Sequence, residues 1–307
     1  MLGNHKEAYN FSPIGSLLLL ALLMMLCSGI GSALGWLTAR SYGLEIGAVI
    51  DTFSDQSPLE ERNLLRWINF FSQLFTFTVP AVLLARMLEG QKWLSSLQLH
   101  RASRRAIYAA AGLYIFGIFI LSQAAFWFNQ QLPLPSWADQ MEGTALRLTQ
   151  GLLVMESPAE FLLTLLVVAV LPALGEELVF RGVVQQQLAK AARSPAWGIW
   201  LSAAIFSAFH LQFAGFLPRL LLGAGLGYLF LWSRSLWVPI AAHFLINGMQ
   251  IAGQYIQKNA LAEAAVDEVN WPATTLAGLL VAGLSYYLYG QYRKQEPTAG
   301  AQPPGHN

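Results

Sequence analysis

The stretch that decides the fold is residues 161–181, which read FLLTLLVVAVLPALGEELVFR. Its apolar part leads directly into three charged residues, Glu176, Glu177 and Arg181. A charged side chain at membrane depth costs roughly 2.5–3.5 kcal/mol on insertion scales. Charges that follow so closely on an apolar run indicate a membrane helix that carries a functional polar group.

Two further polar clusters lie downstream, each in or beside an apolar run long enough to cross a bilayer. They are Phe206-x-x-x-His210 and His243-x-x-x-Asn247. Together with Glu176-Glu177-x-x-x-Arg181 they place five ionisable groups and one amide within oily helices. The sequence therefore predicts a site that carries out chemistry inside the membrane.

The composition supports a membrane protein. Of the 307 residues, 55% are hydrophobic and 11% are charged, whereas a soluble domain has about 25% charged residues. A net charge of +1 gives no indication of nucleic-acid binding. The single cysteine, Cys27, excludes a disulfide within the chain.

The predicted fold class is all-α, a polytopic helical bundle with about eight transmembrane helices and a catalytic cavity within the bundle. Residues 1–295 are expected to form a single transmembrane domain, and the Pro-, Gly- and Ala-rich tail 296–307 is expected to be disordered. The weakly amphipathic segment 136–150 is expected to lie in the outer interface. The predicted spans cover 14–37, 70–88, 106–128, 158–174, 196–213, 218–232, 236–255 and 273–290.

Loop charges predict the orientation in the membrane. The 89–105 loop holds four bases, Lys92, Arg101, Arg104 and Arg105, against the acid Glu89. Other bases on the same side are Lys190, Arg193, Arg234, Arg293 and Lys294. The opposite loops are richer in acid but also hold Arg40, Arg62, Arg66, Arg147 and Lys258. The positive-inside rule then predicts an integral protein of the plasma membrane with both termini in the cytoplasm.

Several helix boundaries carry local signals. Ser57-Pro58-x-Glu60, Ser157-Pro158-x-Glu160 and Ser194-Pro195 each place a capping hydroxyl before a proline in the first helical turn. Pro172 and Gly175, just before the acidic pair, favour a kink or a break in the helix.

Helical spacing assigns different directions to the two acids. Glu177 and Arg181 are four residues apart, which suits an ion pair on one helix face. Glu176 is rotated by about 100° from Glu177 and is expected to face a cavity. The alternative is an ion pair near the interface with no further role.

The two histidine clusters have the same four-residue spacing. Phe206 and His210 share one helix face, as do His243 and Asn247. Polar groups on a membrane helix need partners, usually inside the bundle, so hydrogen bonding between helices is the alternative to a catalytic role.

Taken together, a carboxylate, two imidazoles and an amide are the groups that peptide hydrolysis requires. A glutamate can act as general base with an adjacent histidine, while a second imidazole and an amide N–H can stabilise an oxyanion. Glu176, His210 and His243 also match the ligand set of a catalytic zinc site. The His-Glu-x-x-His motif of zinc proteases is absent. The residues alone leave both chemistries open.

The order of these three motifs resembles the CAAX protease and bacteriocin-processing (CPBP) family of intramembrane endopeptidases, which includes the type II CAAX prenyl endopeptidases. The resemblance covers roughly residues 170–250. It implies a helical membrane fold with a cavity open to the cytoplasmic side and to lipid. It also implies that Glu176 and His210 activate water and that His243 and Asn247 form the oxyanion site, with Glu177, Arg181 and Phe206 in support.

The predicted function is therefore an intramembrane endopeptidase that cleaves peptide or lipidated-peptide substrates in contact with membrane lipid. A metal-free mechanism is favoured, and a zinc-dependent version of the same protease is the first alternative. A second alternative is a non-catalytic membrane partner, such as a bacteriocin self-immunity or assembly factor. A transporter or proton relay is a third, because intramembrane Glu and His also mark those proteins.

Overall fold

The computed structural model describes residues 11–133, 135–257 and 268–295, and every regular element in these ranges is a helix. The α-helices are α1 Pro13–Ser41, α2 Ile46–Thr52, α3 Leu59–Gln73, α4 Val79–Glu89, α5 Trp93–Ser96, α6 Arg105–Gln130, α7 Ser136–Leu152, α8 Pro158–Leu165, α9 Leu171–Val179, α10 Gln185–Ala192, α11 Pro195–Phe209, α12 Phe216–Ser233, α13 Trp237–Ile256 and α14 Trp271–Arg293. Three π-helical turns interrupt them: π1 Leu74–Thr78, π2 Leu166–Val170 and π3 Phe180–Val184. A short 3₁₀ turn, Gly90–Lys92, precedes α5.

The all-α membrane bundle is confirmed. Within the described ranges, five continuous helices are long and apolar enough to cross a membrane: Pro13–Ser41, Leu59–Ser96, Arg105–Gln130, Pro158–Ala192 and Phe216–Ser233. The other three predicted spans coincide with α11, α13 and α14, and α11 is a shorter apolar helix of 15 residues. The total number of spans stays a prediction.

The helix starts follow the predicted capping signals in two cases out of three. Ser157 caps α8 by accepting from the backbone N–H of Glu160 at 3.2 Å, and Ser194 caps α11 in the same way. The prediction for Ser57 is wrong, since α3 begins at Leu59 and Pro58 holds the N-cap position. The Ser57 hydroxyl instead accepts from the backbone N–H of Ser54, which stabilises the preceding turn.

The prediction was a kink or a break near Pro172 and Gly175. The helix that carries the acidic pair is continuous from Pro158 to Ala192, so there is no break, and the kink stays a prediction. Proline has no N–H to donate within a helix. The hydrogen bond that Pro172 cannot donate is therefore missing in the first turn after π2. The π turn has already shifted the backbone hydrogen-bonding pattern at this point. The same arrangement occurs in the neighbouring long helix, where Pro80 follows π1. Both prolines are thus accommodated by a π turn, and the chain stays helical.

Gly175 allows these two long helices to approach closely. A Cβ atom at this position would lie 2.8 Å from Thr78 Oγ1 and 3.0 Å from the Cβ of Phe77. Small residues at such contacts let membrane helices pack backbone to backbone. The contact holds the turn of α9 that carries Glu176 against π1.

The helix Pro158–Ala192 is the most buried of the five candidate spans, with 56% of its most apolar window inside the protein. The N-terminal group α1, α3, π1 and α4 packs on one part of it. α6 packs against α12, α13 and α14, while α11 packs against α10 and α12. The central helix therefore holds its polar residues among neighbours from both halves of the chain.

Residues 136–150 form most of α7, whose C-terminal part packs against α3. Arg147 of α7 donates a hydrogen bond of 2.6 Å to the backbone carbonyl of Asp51. The location of α7 in the outer interface and the extent of the single domain stay predictions. Lys258 and the tail 296–307 lie outside the described residues.

Candidate active site

A cavity of about 460 Å³ lies between α3, α9, α11, α12 and α13. Its wall includes the four residues predicted to be catalytic, Glu176, His210, His243 and Asn247, together with Phe206. The structure therefore brings three motifs, separated along the chain, to the wall of one cavity. Other residues on its wall are Asn69, Gln73, Ile115, Thr149, Leu152, Val168, Pro172, Gln212, Arg219, Leu222, Leu226, Ile246 and Gln250.

Glu177 lies behind the cavity wall and joins two of the motifs. Its side chain is fully buried, and its Oε1 atom accepts hydrogen bonds from Arg181 Nη1 at 2.6 Å and from His243 Nδ1 at 2.9 Å. The ion pair with Arg181 has the predicted geometry. The contact with His243 was not predicted, because no spacing rule relates residues 66 positions apart.

Arg181 fixes this arrangement to the neighbouring helices. Its Nη2 donates to the backbone carbonyl of Gly223 at 2.7 Å, and its guanidinium lies 5.1 Å from the centre of the Phe206 ring. Arg181 belongs to π3, and π turns occur frequently at functional sites. Arg181 is thus a buried support that does not line the cavity.

Glu176 faces the cavity, on the side of α9 away from the bond between Glu177 and Arg181. Its Oε2 atom lies 4.0 Å from His243 Nε2, and its side chain interacts with the amide of Gln73. Only 5% of Glu176 is exposed. The carboxylate therefore sits at the wall of a confined space with an imidazole within reach.

His210 lies at the end of α11. The helix ends at Phe209 and the backbone of Leu211 is left-handed, so the predicted span 196–213 is too long at its C-terminal end. His210 Nδ1 lies 2.9 Å from the carbonyl oxygen of Phe206. A carbonyl only accepts, so Nδ1 carries the hydrogen, and Nε2 of the neutral ring is left as an acceptor. Phe206 also packs against the imidazole, with ring centres 5.0 Å apart.

His243 and Asn247 lie one turn apart on α13. Because the carboxylate of Glu177 accepts from His243 Nδ1, the imidazole is oriented with Nε2 toward Glu176. Asn247 donates one amide hydrogen to the carbonyl of Val168 at 3.2 Å. Val168 belongs to π2, where the changed helical register leaves carbonyls available to side chains.

The loop that follows His210 is fixed by residues from α6 and α7. Asn129 donates to the carbonyl of Phe213 at 2.8 Å and accepts from the N–H of Leu217 at 2.9 Å. Glu142 of α7 accepts from the backbone N–H groups of Phe213 and Ala214. These contacts hold His210 in place although it lies beyond the end of its helix.

The sequence reasoning missed the contribution of α3. Asn69 and Gln73 line the cavity, and Asn69 Nδ2 donates to the carbonyl of Val167 at 3.3 Å. With Arg62 and Arg66 they are spaced by four, three and four residues, which places all four on one helix face. That regular polar stripe on a membrane-entering helix was the signal that could have revealed them.

Arg62 and Arg66 are a correction to the predicted topology, which treated them as loop bases. Both lie in α3 and are buried. Glu160 Oε1 accepts from Arg62 Nε at 3.1 Å and from Arg66 Nη1 at 2.9 Å. Arg66 Nη2 also donates to the carbonyl of Val154, and Arg62 pairs with Glu156. This network joins the start of α3 to the start of α8.

A zinc site was the first alternative. In residues 11–133, 135–257 and 268–295 no group of three or more His, Cys, Asp and Glu side chains is arranged to hold a metal ion. The Nδ1 atoms of His210 and His243 both face oxygen acceptors of the protein. Only the Nε2 atoms of the two rings are therefore left to coordinate a metal ion. Zinc dependence stays a prediction for experiment.

Comparisons with known proteins agree with this placement. Residues 158–249 match the family model described as type II CAAX prenyl endopeptidase Rce1-like. The uncharacterized protein YpbD of Bacillus subtilis (strain 168) is 29% identical over 109 residues, which cover 33% of this chain and 50% of YpbD. The match therefore spans about half the length of that relative. No solved structure matches the chain.

All seven residues singled out from the sequence, from Glu176 to Asn247, fall within the matched segment. The resemblance inferred from the three motifs is therefore confirmed: residues 158–249 of this integral membrane protein are similar to the type II CAAX prenyl endopeptidase Rce1-like family of membrane proteases.

Proposed function

We propose that this protein is an intramembrane endopeptidase that hydrolyses peptide bonds of membrane-associated substrates, including lipidated peptides. One observation carries the proposal: a single cavity is lined by a glutamate, two histidines and an asparagine that belong to three separate motifs. The similarity of residues 158–249 to a protease family supports it. We place the protein in the plasma membrane with both termini in the cytoplasm.

In the proposed mechanism, Glu176 and His210 activate the attacking water. Glu176 offers a carboxylate at the cavity wall, and His210 offers Nε2 as an acceptor because its Nδ1 hydrogen is given to the Phe206 carbonyl. A base in this position takes a proton from water as the water oxygen bonds to the carbonyl carbon of the peptide. The same proton then passes to the leaving nitrogen, so the catalyst is regenerated when the C–N bond breaks.

We assign the oxyanion to His243 and Asn247. A developing negative charge is stabilised by donors that are already oriented. The Glu177 carboxylate accepts from His243 Nδ1 and so orients Nε2 toward the cavity, where an Nε2 hydrogen would be donated to the oxyanion. Asn247 has one amide hydrogen fixed on Val168, which orients the second. Glu177 and Arg181 act as positioning residues in this scheme, and Phe206 supports both imidazoles.

The test is Glu176→Gln in purified protein, with cleavage of a fluorogenic lipidated peptide in detergent or proteoliposomes. Loss of a general base reduces the rate by about 10²–10⁴-fold, and we expect a loss in this range with unchanged thermal stability. Glu60→Gln is the matched control, because Glu60 is exposed at the start of α3. Unchanged turnover in folded Glu176→Gln would refute the protease proposal.

The alternative of a non-catalytic membrane partner predicts a different result for the same variant. A Glu176→Gln variant that fully complements the phenotype of a deletion strain would identify a binding role, such as self-immunity or assembly. Loss of complementation together with loss of cleavage supports the protease.

We also propose that the mechanism needs no metal. Treatment with a chelator is then expected to leave the cleavage rate unchanged, and the purified protein should carry less zinc than one ion per chain. Loss of activity with the chelator and recovery with zinc would instead establish zinc dependence, with Glu176, His210 and His243 as the candidate ligands.

A further inference from the structure

A second region with cavities lies away from the candidate active site, at one end of the helix bundle. Two adjoining cavities of about 510 and 580 Å³ share His100 and Arg101 on their walls. They lie between the segment before α6 and the C-terminal ends of α10, α12 and α14. None of their wall residues lines the cavity of the proposed protease site.

The charge on these walls has one sign. Five cations line the two cavities, and no Asp or Glu of the described chain does so. None of the five has a carboxylate within 4.0 Å in the described ranges. An acid nearby, Glu89, borders a separate small cleft together with one of them. The five cations are Arg101, Arg104, Lys190, Arg234 and Lys294.

The segments that carry Arg101 and Arg234 are fixed to each other. Leu236 N–H donates to the Gln98 carbonyl at 3.2 Å, and the buried Ser235 hydroxyl donates to the Arg101 carbonyl. The guanidinium of Arg234 lies 4.8 Å from the centre of the Tyr292 ring. Arg101 Nε donates to His100 Nε2 at 3.0 Å. Five like charges on the walls of two adjoining cavities repel one another, and a bound anion would offset that repulsion.

The position of the cavities indicates which anion they bind. Three of the candidate membrane spans, Arg105–Gln130, Pro158–Ala192 and Phe216–Ser233, have an end beside them. Trp237 lies at the same level and donates to the Leu99 carbonyl at 2.9 Å, and Trp side chains are enriched at the membrane–water interface. Cations between helix ends at this depth face lipid headgroups.

We propose that these two cavities form a binding site for the phosphate headgroup of an anionic phospholipid such as phosphatidylglycerol. The phosphate would lie among Arg101, Lys190 and Arg234 in the first cavity, with Arg104 and Lys294 beside it in the second. A lipid with a cationic choline group is disfavoured, because no carboxylate of the described residues lines the walls to receive it.

The experiment counts lipids retained by the purified full chain in native mass spectrometry, with phosphatidylglycerol and phosphatidylcholine offered in mixed micelles. The test variant is Arg101→Gln with Lys190→Gln. The matched control is Lys92→Gln with Arg105→Gln, which removes two exposed cations from the same loop region that line neither cavity. Each basic side chain contributes about 1 kcal/mol near an anionic lipid surface. The test variant should therefore bind phosphatidylglycerol about 30-fold more weakly, and the control less than about threefold more weakly.

Equal losses in the two double variants would overturn the proposal, since they would indicate general attraction to cations. An unchanged affinity in the test variant would overturn it as well. Inorganic phosphate at matched ionic strength is the third arm, and stabilisation as strong as that from phosphatidylglycerol would identify a site for free phosphate rather than lipid. Should the double variant unfold, Arg101→Gln alone gives the same comparison with an expected loss of about fivefold.

Discussion

Two ionic clusters lie along the helix Pro158–Ala192, and they differ in how their acids are paired. At its start, the buried Arg62 and Arg66 both pair with the buried Glu160, and Arg62 also pairs with Glu156, whose side chain is 66% exposed. Both oxygens of Glu160 are engaged, since Oε2 accepts the backbone N–H of Glu156 at 3.0 Å. This first cluster therefore joins α3 to the start of α8.

At the second cluster, two carboxylates meet one guanidinium. Glu177 pairs with Arg181 and with His243, whereas Glu176 pairs with no Lys or Arg of the described residues and has His243 Nε2 at 4.0 Å. Glu177 Oε2 is buried without a hydrogen-bond partner. The acid of the first cluster is used to join two helices, whereas one acid of the second cluster faces the cavity. One helix therefore carries an acid with a structural role and an acid placed for chemistry.

The largest effect is expected in the first cluster. Arg66→Ala leaves the buried carboxylate of Glu160 with one fewer cation and the carbonyl of Val154 without its donor. Breaking a buried pair costs about 3–5 kcal/mol, so we expect the free energy of unfolding, measured by SDS titration in mixed micelles, to fall by that amount. Arg40→Ala, at an exposed arginine packed on Trp36, should cost less than about 1 kcal/mol. Equal losses in the two variants would mean that the first cluster does not hold α3 to α8.

A smaller effect is expected when the balance of the second cluster is changed. Glu177→Gln removes the carboxylate that accepts from His243 Nδ1 and orients the ring. Loss of the orienting carboxylate in a Ser-His-Asp triad lowers kcat by about 10⁴-fold. Because His243 is assigned here to the oxyanion rather than to the base, we expect a loss of about 10²-fold in kcat, with KM changed by less than about threefold. Partial recovery in Glu177→Asp would support a positioning role, and equal changes in kcat for both substitutions would contradict it.

The smallest effect concerns an amide of α3 beside the second cluster. Gln73 follows the arginine stripe of α3 and interacts with Glu176. A single hydrogen bond contributes about 0.5–1.5 kcal/mol net, so Gln73→Leu should lower kcat by about three- to tenfold without a change in thermal midpoint. Ser72→Ala is the control, since Ser72 is the exposed neighbour. If both variants cleave at the wild-type rate, α3 contributes to the wall of the cavity and not to its chemistry.

The sequence predicted the parts of this site that lie on single helices. The spacing of Glu177 and Arg181, and of His243 and Asn247, follows directly from the α-helical repeat. Contacts between distant segments could not be obtained in that way. Glu160 is 94 residues from Arg66, so each appeared as a separate charge near a loop.

The same limit applies to backbone irregularities. Pro172 was interpreted as a kink or a break, because a proline disrupts the α-helical ladder. The structure instead contains π2 just before it, and a one-residue change in helical repeat has no clear signature in apolar residues such as 166–170. The cap predicted at Ser57 failed for a related reason, since its hydroxyl was already used by the backbone of Ser54.

The π2 turn also explains how one helix can serve both clusters. Glu160 and Glu176 are sixteen residues apart, and at about 100° per residue a regular α-helix would point them roughly 160° away from each other. One extra residue in a π turn takes up about 100° of that rotation, which leaves them roughly 60° apart. Both acids can then face α3, where Glu160 pairs with Arg66 and Glu176 interacts with Gln73. Deleting one residue from 166–170 would therefore rotate the part of the helix after π2 relative to the part before it. The Glu176 carboxylate would then point away from the cavity, although every side chain of the site would still be present.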